Sequence, residues 1–168
     1  MKNTEKGFTI IEVIISAFIF SIIAVAISGI FVQALNIERR AFSAQKIQEQ
    51  SLYVLELMAR EIRVASISGQ DSNCATSSLS MTHPVNGNVS YNVNNGIVQR
   101  TENGVATEIS SGEVNFTRLN FCITGSNSGD DQPARVSIIA GVQNRTGKEI
   151  LTFDLQTTVT SRDLQSEF

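Results

Sequence analysis

A single acidic residue, Glu12, interrupts the most apolar part of the sequence. Between Phe8 and Val32 the chain contains no Lys, Arg, Asp, Asn, His or Pro, and Glu12 is the only charged residue. A run of about 25 such residues is long enough to cross the ~30 Å hydrocarbon core of a membrane as a helix. An ionised carboxylate near the start of that helix is costly in hydrocarbon, so Glu12 is predicted to have a partner or to reach the membrane interface.

The other residue types that could do chemistry form no catalytic set. His83 is the only histidine, and no Asp or Cys arrangement accompanies it, so we interpret it as a surface or turn residue. The sequence contains no P-loop, GxSxG or HExxH motif. Oxygen ligands cluster in the loop from Gly125 to Asp131 and would suit Ca²⁺, but their spacing matches no known calcium loop, which favours a flexible loop. We therefore predict no enzyme, no metal site and no cofactor.

Two cysteines, Cys74 and Cys122, permit only one intramolecular pairing. If their domain lies outside the cytoplasm, a disulfide between them is expected. The alternative is two separate buried thiols. A metal site built on these cysteines is not predicted, because the sequence has no CxxC pair and a single histidine.

The length and charge of the chain limit the classes of protein it can belong to. A length of 168 residues fits one globular domain of common size with an appendage. The formal net charge is −3, and Arg39-Arg40 is the only basic pair in the sequence. Binding of phosphates needs a clustered basic face, so direct contact with nucleic acid is not expected.

Lys2 and Lys6 precede the apolar run and favour a cytoplasmic N-terminus. A secretory signal would have a shorter apolar core of about 7–15 residues, followed by a small-residue cleavage site. Here the run is longer and leads directly into a polar helical segment. We therefore predict a membrane-spanning helix, and a plain signal anchor stays open as an alternative.

Helical spacing continues beyond the apolar run. From Ile37 to Ile67 apolar residues recur three or four positions apart, and no Pro interrupts the pattern. We predict one long helix from near Thr9 to about Ser66, with Gly69 as its C-terminal cap. The predicted apolar stripe comprises Ile37, Ala41, Ala44, Ile47, Leu52, Leu55, Met58, Ala59, Ile62 and Ala65. The opposite, solvated face is predicted to carry the charged and amide residues, including Glu38, Arg39, Arg40, Lys46, Glu49, Glu56, Arg60, Glu61 and Arg63.

After residue 80 the apolar residues alternate with polar ones, which is typical of strands. Residues 89–93 alternate, Asn94-Asn95-Gly96 predicts a turn, and residues 97–100 return as the second strand of a hairpin. A second turn is predicted at Asn103-Gly104, and further strands follow at 114–116, 119–123, 134–139 and 150–159. The pattern predicts an α+β fold with a meander of five to seven strands in an antiparallel sheet. One face of that sheet is predicted to cover four apolar side chains of the helix: Leu52, Leu55, Met58 and Ile62.

The stretch Lys6-Gly7-Phe8-Thr9-Ile10-Ile11-Glu12-Val13 resembles the processing site of type IV prepilins and pseudopilins. In that family a membrane peptidase cuts after the glycine and methylates the new amino terminus. The resemblance implies a cut between Gly7 and Phe8 and N-methylation of Phe8. The new ammonium of Phe8 would then pair with Glu12 of a neighbouring subunit, because each charge is expensive alone in hydrocarbon, and the pair would set the axial register of a filament.

A long helix followed by strands is also the layout of the type IV pilin-like fold. The resemblance implies a leader peptide at residues 1–7, which is removed, and a transmembrane half of the helix at residues 8–32. The amphipathic half of the helix then covers residues 33–68. A β-rich globular domain covers residues 69–168.

The segments 57–63 and 155–163 resemble minor pilins of the J-pseudopilin and W-minor-pilin type. The resemblance implies a structural subunit that assembles into, primes or caps a type IV pilus or a type II secretion pseudopilus. Before assembly it would be held in the inner membrane by its single span, with the globular domain outside the cytoplasm. The implied partners are other pilins, the prepilin peptidase and an inner-membrane assembly platform. Two alternatives stay open: a single-pass membrane protein with an extracytoplasmic ligand-binding domain, and a pilin of a DNA-uptake system.

Overall fold

The computed structural model describes residues 7–127, 132–147 and 149–162. Within these residues the chain forms one α-helix followed by seven strands, which confirms the predicted α+β order. The helix α1 spans Ile10–Val64. The strands are β1 (Leu79–His83), β2 (Gly87–Asn94), β3 (Ile97–Glu102), β4 (Val105–Glu108), β5 (Val114–Thr124), β6 (Arg135–Asn144) and β7 (Thr152–Thr160). By its internal contacts the chain divides into two compact units, Met1–Ala41 and Phe42–Phe168.

In the first unit, α1 exposes apolar side chains on all sides. Among the described residues it is the one helix long and apolar enough to cross a membrane, and none of its most apolar stretch is buried inside the protein. The hydroxyls of Ser21 and Ser28 donate to the carbonyls of Ala17 and Ala24, each over 2.8 Å, so these polar groups are satisfied by the helix itself. A core helix of a soluble protein would be mostly buried, so this exposure favours a lipid or helix-bundle environment.

In the second unit, the rear part of α1 buries one face against the strands. The buried helical residues are Ile47, Ser51, Val54, Leu55, Met58, Ala59 and Ile62. Of the predicted stripe, Ile47, Leu55, Met58, Ala59, Ile62 and Ala65 are buried, whereas Ile37, Ala41 and Leu52 are exposed. Leu52 is 61% exposed, and Val54 is buried in its place. At about 100° per residue Leu52 is turned by about 120° from Met58, whereas Val54 is turned by only about 40°.

The helix ends earlier than the sequence predicts, at Val64 and not at Ser66. The backbone of Ser66 instead forms an antiparallel bridge with Thr82, with both N–H···O distances at 2.9 Å. Gly69 has the left-handed φ of +66° that suits a helix cap, but it lies beyond this bridge and does not cap α1. The backbone groups of Ser66 are hydrogen-bonded to β1, so the helix does not continue through this residue.

The strands form two antiparallel sheets, where the sequence predicts one. The first sheet has the order β1-β2-β3-β4 and the second has the order β5-β6-β7. The predicted turns at Asn95-Gly96 and Asn103-Gly104 are confirmed, and all four residues have a positive φ, as a two-residue hairpin turn requires.

The second sheet contains a strand that the sequence predicts as two. Residues 114–116 and 119–123 belong to the single strand β5, because a register shift between Phe116 and Arg118 absorbs the break in alternation. Inward-facing side chains of both sheets and of α1 share one hydrophobic core, whose largest fully buried members are Tyr91, Phe116 and Phe121.

A disulfide bond joins Cys74 and Cys122. It ties the connection between α1 and β1 to the strand β5. Backbone hydrogen bonds flank the bridge on both sides: Ser72 N–H donates to the Ile123 carbonyl over 2.9 Å, and Phe121 N–H donates to the Thr76 carbonyl over 2.8 Å. The bridge therefore fastens a segment that has no regular secondary structure of its own.

Replacing both cysteines by Ser is expected to lower the free energy of unfolding by about 2–4 kcal/mol, because the bridge closes a loop of long sequence separation in the unfolded chain. That separation is 48 residues. Urea unfolding of the full chain in detergent, followed by circular dichroism, measures the change. Wild-type protein with a reductant should unfold at the same midpoint as the double variant, and an unchanged midpoint in both samples would contradict the prediction.

Candidate functional site

The motif at the start of α1 forms a hydrogen-bonded cap. Thr9 precedes the first helical residue, and its hydroxyl oxygen accepts a hydrogen bond from the Glu12 backbone N–H over 3.3 Å. In return, Oε2 of Glu12 accepts from the Thr9 backbone N–H and from the Thr9 hydroxyl, each over 2.9 Å. This reciprocal arrangement is a capping box, which satisfies backbone donors that the first turn of a helix leaves free.

Glu12 therefore has a role that a consideration of charge alone misses. The pattern Thr-x-x-Glu is visible in the sequence and is a known signature of a helix start. Among the described residues Glu12 makes no ion pair, and its carboxylate is held there by the hydrogen bonds with Thr9. The carboxylate remains accessible to a cation from outside the chain.

The peptide bond between Gly7 and Phe8 is accessible. Gly7 is exposed and the Phe8 side chain is 88% exposed. A Cβ added to Gly7 would meet no other atom within 4 Å. The fold of this chain therefore does not require a glycine at position 7.

A second cluster of charged residues lies in the globular unit, where the end of α1 meets the first sheet. Arg100 donates to the carboxylate of Glu61 through Nη2 over 2.8 Å and through Nε over 3.0 Å. The Tyr91 hydroxyl also donates to Glu61, and Nη1 of Arg100 donates to Glu102. The side chains of Glu61 and Arg100 are only 12% and 14% exposed. The sequence places Glu61 on the solvated face of the helix, and this prediction is wrong.

The ionisation of this cluster follows from burial and pairing. Burial opposes the charge of Glu61, but the hydrogen bonds from Arg100 and Tyr91 outweigh it and hold the pKa of Glu61 below its usual value. The pairing with Glu61 raises the pKa of Arg100, and burial raises the pKa of Tyr91. Every polar group here is engaged with another, so the cluster is suited to joining helix and sheet and holds no free nucleophile or base.

The candidate residue His83 lies at a turn. Nδ1 of His83, at the end of β1, accepts from the backbone N–H groups of Val85 over 3.2 Å and Asn86 over 3.1 Å. Within the described part of the chain, no group of three His, Cys, Asp or Glu residues could hold a metal ion.

The loop from Gly125 to Asp131, considered for Ca²⁺, lies partly outside the described residues, since residues 128–131 are not among them. On its described side, Asp71 accepts from Ser126 N–H over 2.8 Å and from the Asn127 amide over 2.7 Å. The hydrogen bonds from Ser126 lower the pKa of Asp71.

A comparison with known protein families matches residues 2–30 to the prokaryotic N-terminal methylation motif. The matched segment contains Gly7, Phe8 and Glu12. Comparisons with curated proteins and with solved structures found no match. The matched motif, followed by a long apolar helix and antiparallel sheets, supports a type IV prepilin-like protein: a structural subunit with membrane anchoring and later assembly with other pilins.

Proposed function

We propose that the chain is a minor pilin or pseudopilin that a prepilin peptidase cuts between Gly7 and Phe8 and methylates on Phe8. The observation that carries this proposal is the position of the motif. The Gly7–Phe8 bond is exposed, and it directly precedes a capped helix whose large apolar side chains up to Val32 are exposed. A bond placed in this way at the membrane surface is accessible to a membrane peptidase.

The surroundings of Gly7 are compatible with recognition by a partner. A Cβ at position 7 would meet no other atom within 4 Å, so the fold leaves this position open to a peptidase. A narrow peptidase subsite would accept glycine there and reject a larger side chain. Gly29 is a matched case, since a Cβ there would also meet no atom within 4 Å.

The charge pair at the new N-terminus supports assembly. Removal of residues 1–7 leaves the Phe8 ammonium at one end of an apolar helix, with Glu12 one turn further along. In an intact subunit Glu12 is held by Thr9, so its carboxylate is oriented before a neighbour arrives. Pairing with the Phe8 ammonium of that neighbour compensates both charges and favours one axial offset between subunits.

In this proposal the transmembrane, amphipathic and β-rich segments have different functions. Residues 8–32 hold the subunit in the inner membrane and later line the filament core. Residues 33–68 continue the helix into the globular domain, and residues 69–168 form the extracytoplasmic β-rich part. We place this part at the surface or the tip of a pilus or a secretion pseudopilus, since the chain resembles minor subunits.

Changing Gly7 to Val is expected to abolish processing, because the peptidase subsite can no longer accept the residue before the cut. Mass spectrometry of the purified chain should give a methylated Phe8 start for the wild type and an uncut N-terminus for Gly7→Val. The initial rate of cutting should fall by more than about tenfold, equivalent to at least ~1.4 kcal/mol in transition-state binding.

Gly29→Val serves as the matched control and should be cut as in the wild type, because it adds the same side chain at a position far along the chain from the scissile bond. A wild-type chain that begins at Met1 in a cell with an active prepilin peptidase would contradict the proposal. That result would favour the single-pass ligand-binding protein.

A further inference from the structure

A polar cleft of about 330 Å³ lies on the first sheet. Its floor is formed by β1, β2 and β3, and its side by the segment that follows α1. The polar residues that line it include Gln70, Ser80, Thr82, Asn88, Ser90 and Thr101. Its volume is at the lower end of the range of about 300–1,000 Å³ that is usual for ligand sites.

The pairing register aligns hydroxyl groups across the floor of the cleft. Ser80 of β1 is opposite Ser90 of β2, and Ser90 is opposite Thr101 of β3. Directly paired residues point to the same side of a sheet, so the three hydroxyls form a row about 4.5–5.5 Å apart at Cβ. Their neighbours Met81 and Tyr91 point into the core.

The side of the cleft is fixed by hydrogen bonds. The Gln70 amide donates to the Ser80 carbonyl and accepts from the Ser80 N–H, in the manner of a neighbouring strand. The bridge between Ser66 and Thr82 holds the other end. The cleft is therefore preformed, which lowers the cost of ordering on binding.

The hydroxyls in the cleft keep their hydrogen-bonding capacity. Those of Ser80, Thr82, Ser90 and Thr101 make no hydrogen bond with any of the described residues. Each hydroxyl can donate once and accept twice, and the Asn88 amide adds two donors and an acceptor. Each hydroxyl of the row can therefore either donate to or accept from a ligand in the cleft.

No charged residue is among the described residues that line the cleft, and this favours one class of ligand. A phosphate would find no Lys or Arg among these residues to neutralise its charge, and a divalent cation would find no Asp or Glu to hold it. A ligand that matches it is neutral and bears several groups that both donate and accept. We propose that this cleft binds a neutral polyhydroxylated ligand, namely an uncharged oligosaccharide.

The affinity is expected to be modest. The described residues that line the cleft include no aromatic ring, so a sugar ring would gain hydrogen bonds from them without stacking. We expect a Kd of about 1 mM, as is reasonable for a small set of neutral hydrogen bonds.

The test titrates the ¹⁵N-labelled full chain with a neutral oligosaccharide and follows its amide resonances by NMR. The micelles must have phosphocholine head groups, because sugar head groups would compete for the cleft. The probes are maltotetraose and chitotetraose, with the neutral peptide acetyl-Ser-Gly-Asn-Gly-amide as the comparison. We expect saturable shifts with at least one sugar at Ser66, Ser80, Ser90 and Thr101, and none with the peptide.

The variant Ser90→Ala/Thr101→Val removes two hydroxyls from the row and should weaken sugar binding about tenfold. Thr107→Val makes the same kind of change on β4, outside the cleft, and should bind as the wild type does. If the double variant fails to fold, Thr82→Val replaces it, with a weakening of about fivefold. The absence of saturable shifts with either sugar, equal binding by the cleft variant, or shifts with the peptide alone would each overturn the proposal. The result is independent of processing, since Gly7→Val should bind the sugar as well as the wild type.

Discussion

Replacing Glu12 by Gln is expected to leave a subunit that inserts into the membrane but assembles into filaments at least about tenfold less than the wild type. Gln at this position can still accept the hydrogen bonds of Thr9, so the cap of the helix is kept. It carries no charge for the Phe8 ammonium of a neighbour. An uncompensated charge in an apolar bundle costs about 3–5 kcal/mol, so a tenfold loss is a conservative expectation.

Thr9→Val is the matched control for this prediction. It removes the capping hydroxyl that contacts Glu12 and keeps the carboxylate, so it should assemble within about fivefold of the wild type, as expected for a cap worth about 1 kcal/mol. The measurement is the ratio of subunit in sheared filaments to subunit in the inner membrane. If Glu12→Gln assembled normally and Thr9→Val failed, Glu12 would serve only to start the helix.

Replacing Glu61 by Leu is expected to lower the free energy of unfolding of the globular unit by about 3–5 kcal/mol. The change leaves Arg100 with the more exposed Glu102 as its remaining partner, and it leaves the buried hydroxyl of Tyr91 without an acceptor. Both groups then lose the compensation for their desolvation. Chemical unfolding of the full chain in detergent measures the difference.

Two further variants distinguish the loss of the Glu61–Arg100 ion pair from the general effect of placing a leucine on the helix. Glu56→Leu changes an exposed glutamate of the same helix and should shift stability by less than about 0.5 kcal/mol. Glu61→Leu/Arg100→Met removes both partners and should recover at least half of the loss, because a buried pair replaced by apolar groups is often neutral. Equal stability of Glu61→Leu and Glu56→Leu would show that the cluster does not join helix and sheet.

The stability that Glu61 contributes depends on pH, and the direction of this dependence follows from the lowered pKa of Glu61. The pKa of Glu61 is lowered in the folded chain, so the unfolded chain binds more protons in this range and stability rises with pH. The contribution is complete above the usual value of 4.5 and is lost as the pH falls through the lower folded pKa. The stability difference between wild type and Glu61→Leu should therefore be largest near neutral pH and shrink below pH 4.5.

The features that the sequence determined by itself depend on residues close together in the chain. Glu12 in its apolar run is one of them, and the turns at Asn95-Gly96 and Asn103-Gly104 are two more. Each depends on the chemistry of a few neighbouring side chains, or on the positive φ that Asn and Gly tolerate. The Thr9–Glu12 cap belongs to the same group, since its partners lie three residues apart.

The tertiary structure decided everything that depends on which distant segments meet. The division of the strands into two sheets depends on the partners of β5, and the end of the helix at Val64 depends on the bridge between Ser66 and Thr82. Glu61 is largely buried, and not solvated, because Tyr91 and Arg100 of the sheet donate hydrogen bonds to it. The row of free hydroxyls exists only through strand register. The spacing of apolar residues shows whether a segment is a helix or a strand, but it does not show which distant segment packs against it. For this reason the motif at Gly7–Glu12 is readable from the chain, whereas the cluster around Glu61 and the cleft on the first sheet are not.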